Sequence, residues 1–123
     1  MEKILAFHFD GSDLFQLRQL AATHRVRLEV IDVIDYKQTL DALSSGRKNP
    51  LTEPFAGQAP DANLLLFCDF SEKHLDKLLL SLRKSSIPVD YKAILTPSNR
   101  QWTVLQLILA LQAEKAAYEK QKW

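Results

Sequence analysis

Asn63-Leu64-Leu65-Leu66-Phe67-Cys68-Asp69-Phe70 is the most apolar run in the chain and the one whose reading decides the fold. A strand with one face in water alternates apolar and polar residues; a strand covered on both faces reads as a continuous apolar run. This run therefore predicts a central strand, covered above and below by helices. Downstream, Ser71 to Ser86 places Leu75, Leu78, Leu79 and Leu82 on one side of a helix. Pro88 ends that region, and Tyr91 to Thr96 is a further strand. A last helix is predicted from about Asn99 to Lys120, its start marked by the capping-box spacing of Ser98 and Gln101.

Upstream, the same alternation recurs. Lys3 to Phe9 is a short apolar strand closed by Asp10-Gly11-Ser12, and Asp13 to His24 carries Leu14, Leu17 and Ala21 at helical spacing. Val26 to Val33 is a β-branched strand. Asp35 to Ser45 is a short helix with Leu40 and Leu43 inward and Gly46 at its C-terminal cap. Arg47 to Pro60 breaks the rhythm with three prolines and Gly57, and is read as an exposed loop at about 47–60. The order βαβαβαβα predicts one α/β domain over residues 1–123. It would be a four-stranded, mainly parallel, flavodoxin-like or Rossmann-like sheet with helices on both faces and spatial order 2-1-3-4. A ferredoxin-like arrangement is the runner-up and lacks a tight hairpin signal. No internal repeat is legible.

Composition narrows the function classes. The chain has 123 residues, 46% hydrophobic and 25% charged, which is ordinary globular usage. A formal net charge of +1 lacks the footprint of a duplex nucleic-acid or anionic-membrane binder. Single-stranded nucleic-acid binding would need aromatics along a basic groove, and the 16 basic residues are spread among 15 acidic ones. One cysteine, no apolar stretch of membrane-spanning length and no leader-like N-terminus together predict a cytoplasmic protein.

In an open parallel sheet, ligands bind beyond the carboxyl ends of the strands where the strand order reverses. If all four strands point the same way, their ends share one rim carrying Asp10, Ser12, Asp32, Asp69 and Thr96. The ligand-binding reading takes Asp10, Ser12, Asp69, Thr96, Asn99 and Trp102 as a phosphate- or metal-directed small-molecule site. Helix capping is the simpler account of Asp10, Ser12 and Asp69. A Cys68–His8 nucleophile pair is conceivable, but a buried inert thiol is commoner. His24 and His74 lie on separate helices without metal-ligand spacing, and the three glycines form no phosphate-binding loop. A phosphorelay receiver would need paired acids after the first strand and a lysine after a fifth. No catalytic residue, metal or cofactor is assigned, and the reading leans away from an enzyme.

The last helix carries two apolar stripes. Val104, Leu107, Ile108 and Leu111, extended by Tyr118, form one; Trp102, Leu105, Leu109 and Ala116 form the other. One sheet face needs only the first. The second predicts an interface through Leu105 and Leu109, with a homodimer as the expected assembly and an unidentified protein or small molecule as a further partner. In the 47–60 loop, Phe55 either anchors a partner or packs back on the domain. Glu114 to Trp123 is read as a solvated helix end.

The run Lys92-Ala93-Ile94-Leu95-Thr96-Pro97, followed by Asn99, Trp102 and a leucine-rich helix to Glu114, resembles an uncharacterised bacterial family, domain of unknown function 3783. The resemblance spans Leu79 to Glu114. It implies a bacterial cytosolic protein and carries no activity with it. Read physically, Thr96 ends the strand, Pro97 fixes the turn, Asn99 braces the adjacent loop, and Trp102 packs at or closes the strand-end cleft, away from which Lys92 points.

Overall fold

The computed structural model describes residues 2–121. Four strands, β1 (Lys3–Phe7), β2 (Arg27–Ile31), β3 (Leu64–Cys68) and β4 (Tyr91–Ile94), form one sheet of order β2-β1-β3-β4. Helices α1 (Gly11–Thr23), α2 (Leu40–Ser45), α3 (Glu72–Lys84) and α4 (Val104–Gln121) surround it. The sheet is mixed and mostly parallel, and the architecture is consistent with a flavodoxin-like fold. β1 and β3 are buried at every residue, as the continuous apolar run required. On one face Ile4, Ala6, Leu65 and Phe67 pack with Leu17 of α1 and Leu78 of α3. On the other, Leu5, Phe7, Leu64 and Leu66 pack with Leu40 of α2 and Val104, Leu107 and Ile108 of α4.

The expectation that all four strands run the same way is corrected. β1 is parallel to β2 and β3 to β4, but β1 and β3 are antiparallel, with Leu5 opposite Leu66 and Lys3 opposite Cys68. The cause lies in the loop. α2 carries the chain to the N-terminal end of β1, where the Ser44 carbonyl accepts a bond from Lys3 Nζ at 2.8 Å. A strand starting there would run parallel to β1. Instead, 18 residues return the chain across the molecule. On the way, Phe55 N–H donates to the Ile34 carbonyl at 3.0 Å and the Phe55 ring stacks on Tyr36, 6.4 Å between centroids. β3 therefore enters opposite Phe7.

That reversal gives the molecule an internal two-fold relation that residue identity hides. Each half is β-α-β-α. His8 and Asp69, just past β1 and β3, both adopt left-handed backbone, with φ of 65° and 62°. Arg25 and Ser86, just past α1 and α3, do the same at 55° and 65°. Thr39 and Thr103 bridge to each other antiparallel. Each hydroxyl accepts a bond from the third residue onward, Ala42 N–H at 3.1 Å and Gln106 N–H at 3.2 Å.

Two helix starts differ from the sequence reading. α2 begins at Leu40 and not at Asp35, because a 3-10 turn over Val33–Asp35 intervenes, capped by Asp32. The predicted C-cap at Gly46 stands, with φ of 72°. α4 begins at Val104, and the capping box is Thr103–Gln106, in which Gln106 Oε1 accepts from Thr103 N–H at 2.8 Å. Ser98 cannot cap a helix, because residues 96–100 form a turn closed by Asn99.

Candidate functional site

The antiparallel seam splits the proposed rim in two. Asp10 and Ser12 follow β1, whereas Asp69 follows β3 and Thr96, Asn99 and Trp102 follow β4. Because Cys68 lies opposite Lys3 and Leu64 opposite Phe7, the carboxyl ends of β1 and β3 are separated by four residue steps, roughly 13 Å along the strands. Asp10 and Asp69 do not share one edge. Cys68 and His8 are likewise at opposite ends and form no pair. Burial, together with neighbouring Asp69, pushes the Cys68 thiol up to about 12, so at neutral pH it is an inert apolar filler.

At the first rim, Asp10 sits at the N-cap of α1 in extended backbone. Its carbonyl accepts from Leu14 N–H at 3.1 Å, while its carboxylate makes no capping bond. Gly11 follows at φ +54°, a conformation that suits glycine. Ser12 is exposed. Beside β2 a hollow of about 290 Å³ is lined by Glu29, Asp32, Asp35, Leu43 and Lys48, with Lys48 paired to Asp35 at 3.1 Å. The sequence reading missed this hollow, because only the returning loop brings Lys48 against Asp35.

At the opposite rim, the Arg100 guanidinium reaches Asp41 at 2.9 Å and Asp69 at 3.4 Å, joining the two halves of the chain. Lys3 Nζ lies 3.8 Å from Glu29 besides donating to Ser44. Neither Arg100, Asp41 nor Lys3 carried a local sequence signal; their meeting depends on the chain reversal. Asn99 is buried. Its Oδ1 accepts from Thr96 N–H at 2.8 Å and its Nδ2 donates to the Ile94 carbonyl at 3.0 Å. Thr96 Oγ1 in turn accepts from Asn99 N–H at 3.2 Å. Trp102 is 38% exposed and lines a shallow hollow with Gln106 and Ala110. Its backbone accepts from Leu40 N–H at 2.8 Å, tying the α4 entry to α2.

The histidines prove closer than their separate helices suggested. His24, the C-cap of α1, bonds Ser81 Oγ at 2.8 Å, and its ring lies 6.2 Å from that of His74. His74 Nδ1 meets the Glu2 carboxylate. Burial works against ionisation of Glu2, yet the bonds from His74 and from Ser71 N–H hold its carboxyl below the usual 4.5. Among the described residues, no group of three or more His, Cys, Asp or Glu is arranged to hold a metal ion, and every buried side-chain N or O has a partner. At the second rim the polar side chains bind one another and nearby backbone, which is the chemistry of struts and caps, whereas the Asp10 carboxylate at the first rim makes no capping bond. Among the described residues, no helix is long and apolar enough to cross a membrane.

On α4, Val104, Leu107 and Ile108 are buried as the first stripe predicted, and Leu111 is half-buried. Tyr118 departs from that stripe and is exposed, because the helix has by then run beyond the sheet. Of the second stripe, Leu105 is partly buried against the core, while Leu109 is 65% exposed. Residues 112–120 are exposed throughout. Lys122 and Trp123, the end of the predicted solvated tail, lie outside the described residues.

Residues 63–118 match a family described as Domain of unknown function (DUF3783). The match covers 56 of the 123 residues. It reaches further back than the Leu79–Glu114 resemblance and corresponds to the second β-α-β-α half, from the residue before β3 into α4. Comparison with curated proteins and with solved structures gave no match.

Proposed function

We propose that the protein is a non-catalytic interaction module that self-associates through α4. The observation that carries this reading is the second apolar stripe: Leu109 lies 65% exposed, beside a helical stretch, 112–120, that is exposed at every residue and reaches back to the sheet through Lys115, 5.8 Å from the Tyr91 ring. The exposed end of a helix with so little packing is held weakly in water, and a covering surface stabilises it. A second copy is the occupant that the charges favour. A two-fold interface is self-complementary, so charges that meet across it must be of opposite sign; Glu114 and Glu119 alternate here with Lys115 and Lys120. Phe55 is stacked on Tyr36, the packed-back one of the two arrangements read for the loop. We further propose a bacterial cytoplasmic setting, which the family resemblance and the single buried cysteine support.

Sedimentation and light scattering at micromolar protein test the proposal. The wild type is expected as a dimer, and Leu109→Asp as a folded monomer with close to wild-type circular dichroism. A wild-type chain that stays monomeric at high micromolar concentration overturns it.

A further inference from the structure

β4 is an edge strand, and its outer side differs from the rest of the surface. In a parallel pair, alternate residues bond to the neighbour and the others point outward. Tyr91 N–H donates to the Asn63 carbonyl at 3.1 Å and Leu95 N–H to the Phe67 carbonyl at 2.9 Å, so Lys92 and Ile94 present their backbone groups to the open side. Asn99 closes the Ile94 carbonyl, which leaves Lys92 N–H, Lys92 C=O and Ile94 N–H without a partner among the described residues.

Beside this edge runs a groove between β4 and α3. It consists of two adjoining hollows of about 380 and 220 Å³ that share Leu79 and Lys92 as walls. Phe67, Leu79, Ile94 and Val89 give it an apolar floor, and its charged lining is Lys92 and Arg83, with no carboxylate. Ile94 is 51% exposed there.

We infer that this edge takes up an extended peptide segment from a protein partner, paired to Lys92 and Ile94, with apolar side chains in the groove and acidic ones against Lys92 and Arg83. Strand addition supplies exactly what the site lacks: backbone partners on the open edge and alternate side chains for a half-covered apolar strip. Charge selects the occupant. Two copies pairing β4 against β4 would bring like-charged Lys92 side chains together, which disfavours self-pairing. An acidic segment meets no carboxylate in the lining. The inference extends the interaction-module reading to a second surface, on the sheet face away from α4, and does not depend on self-association.

The test is an amide and methyl NMR titration with a short capped peptide alternating valine and glutamate, run on wild type and on the Leu109→Asp chain. Saturable shifts are expected at Lys92, Ile94 and Leu79 in both proteins. Affinity should fall about tenfold or more for Lys92→Glu and for a valine–lysine peptide. Lys92→Pro should abolish binding, since its lost N–H points away from β3 and the sheet survives. The absence of shifts at these residues with millimolar peptide overturns the inference, as does equal binding of the lysine peptide. Shifts at Lys92 and Ile94 that follow protein concentration without peptide make the occupant a second copy and also overturn it. Failure of α4 self-association alone leaves these shifts in place.

Discussion

At the residue scale, Cys68 illustrates how position decides chemistry. Its sequence setting, in an apolar run next to an aspartate, is compatible with either a filler or a poised nucleophile. Burial at 1% exposure resolves the ambiguity by pushing the thiol up to about 12, three units above its ordinary 9.0. Linkage then fixes a sign. In the unfolded chain the thiol ionises near 9, while the folded chain keeps it neutral. The native state is therefore unaffected below pH 9 and loses stability as pH rises from there toward 12, by about 1.4 kcal/mol per unit at most. Replacing Cys68→Ala removes that dependence. The wild-type advantage over the variant, measured by urea melts, should be nearly constant from pH 7 to 8 and shrink by about 1.4 kcal/mol by pH 10. A constant difference across that range would show that Cys68 is not desolvated. Asn99 was legible for a different reason: an asparagine three residues past a strand end, after a proline, has few roles other than bracing its own turn. Lys3, Asp41 and Arg100 were not legible, because nothing near them in sequence anticipates their partners.

At the scale of elements, strands and helices declared themselves by period, and their joints did not. The β1 and β3 runs, the α3 stripe and the Gly46 cap stand as read from the residues alone. The start of α4 was misplaced because Ser98–Gln101 and Thr103–Gln106 offer the same capping-box spacing, and local propensity cannot choose between them. The choice is tertiary: Trp102 and Thr103 are held by Leu40 and Thr39 of the other half, so the helix can start only beyond them. A direct consequence follows. Thr103→Ala removes the hydroxyl that accepts Gln106 N–H and should cost about 1 kcal/mol in a denaturant melt. Ser98→Ala, on an exposed turn, should stay within about 0.5 kcal/mol. A larger cost at Ser98 than at Thr103 would restore the earlier start.

At the scale of the whole molecule, the chain is two similar halves joined antiparallel through β1 and β3, with a return loop that sets their direction. The same alternation of elements is satisfied by a fully parallel sheet or by this one, so periodicity settled the strand order without settling the polarity of the seam. What the loop must do physically is modest. Its first part is anchored: Gln38 pairs with the Asn49 backbone in both directions at 3.0 Å, and Phe55 stacks on Tyr36. Beyond Phe55, residues 56–58 and 61 are exposed, and the chain has to span the distance to β3. If the halves are held by the seam and by Arg100 and the Thr39–Thr103 bridge, lengthening that part should cost little beyond closure entropy. Ten glycine and serine residues inserted after Gln58 enlarge an 18-residue connection to about 28, which on a logarithmic scale amounts to about 0.4 kcal/mol. The expected result is a nearly unchanged melt and a slower folding rate, since the seam closes only after the longer loop has been searched. A loss of several kcal/mol would mean that residues 56–62 themselves clamp the halves together. By contrast, Leu66→Ala, at the fully buried centre of the seam, should cost about 2–5 kcal/mol in the same melt. The two changes act on the same joint, one through chain length and one through packing. The gap between their costs measures which of the two holds the antiparallel arrangement.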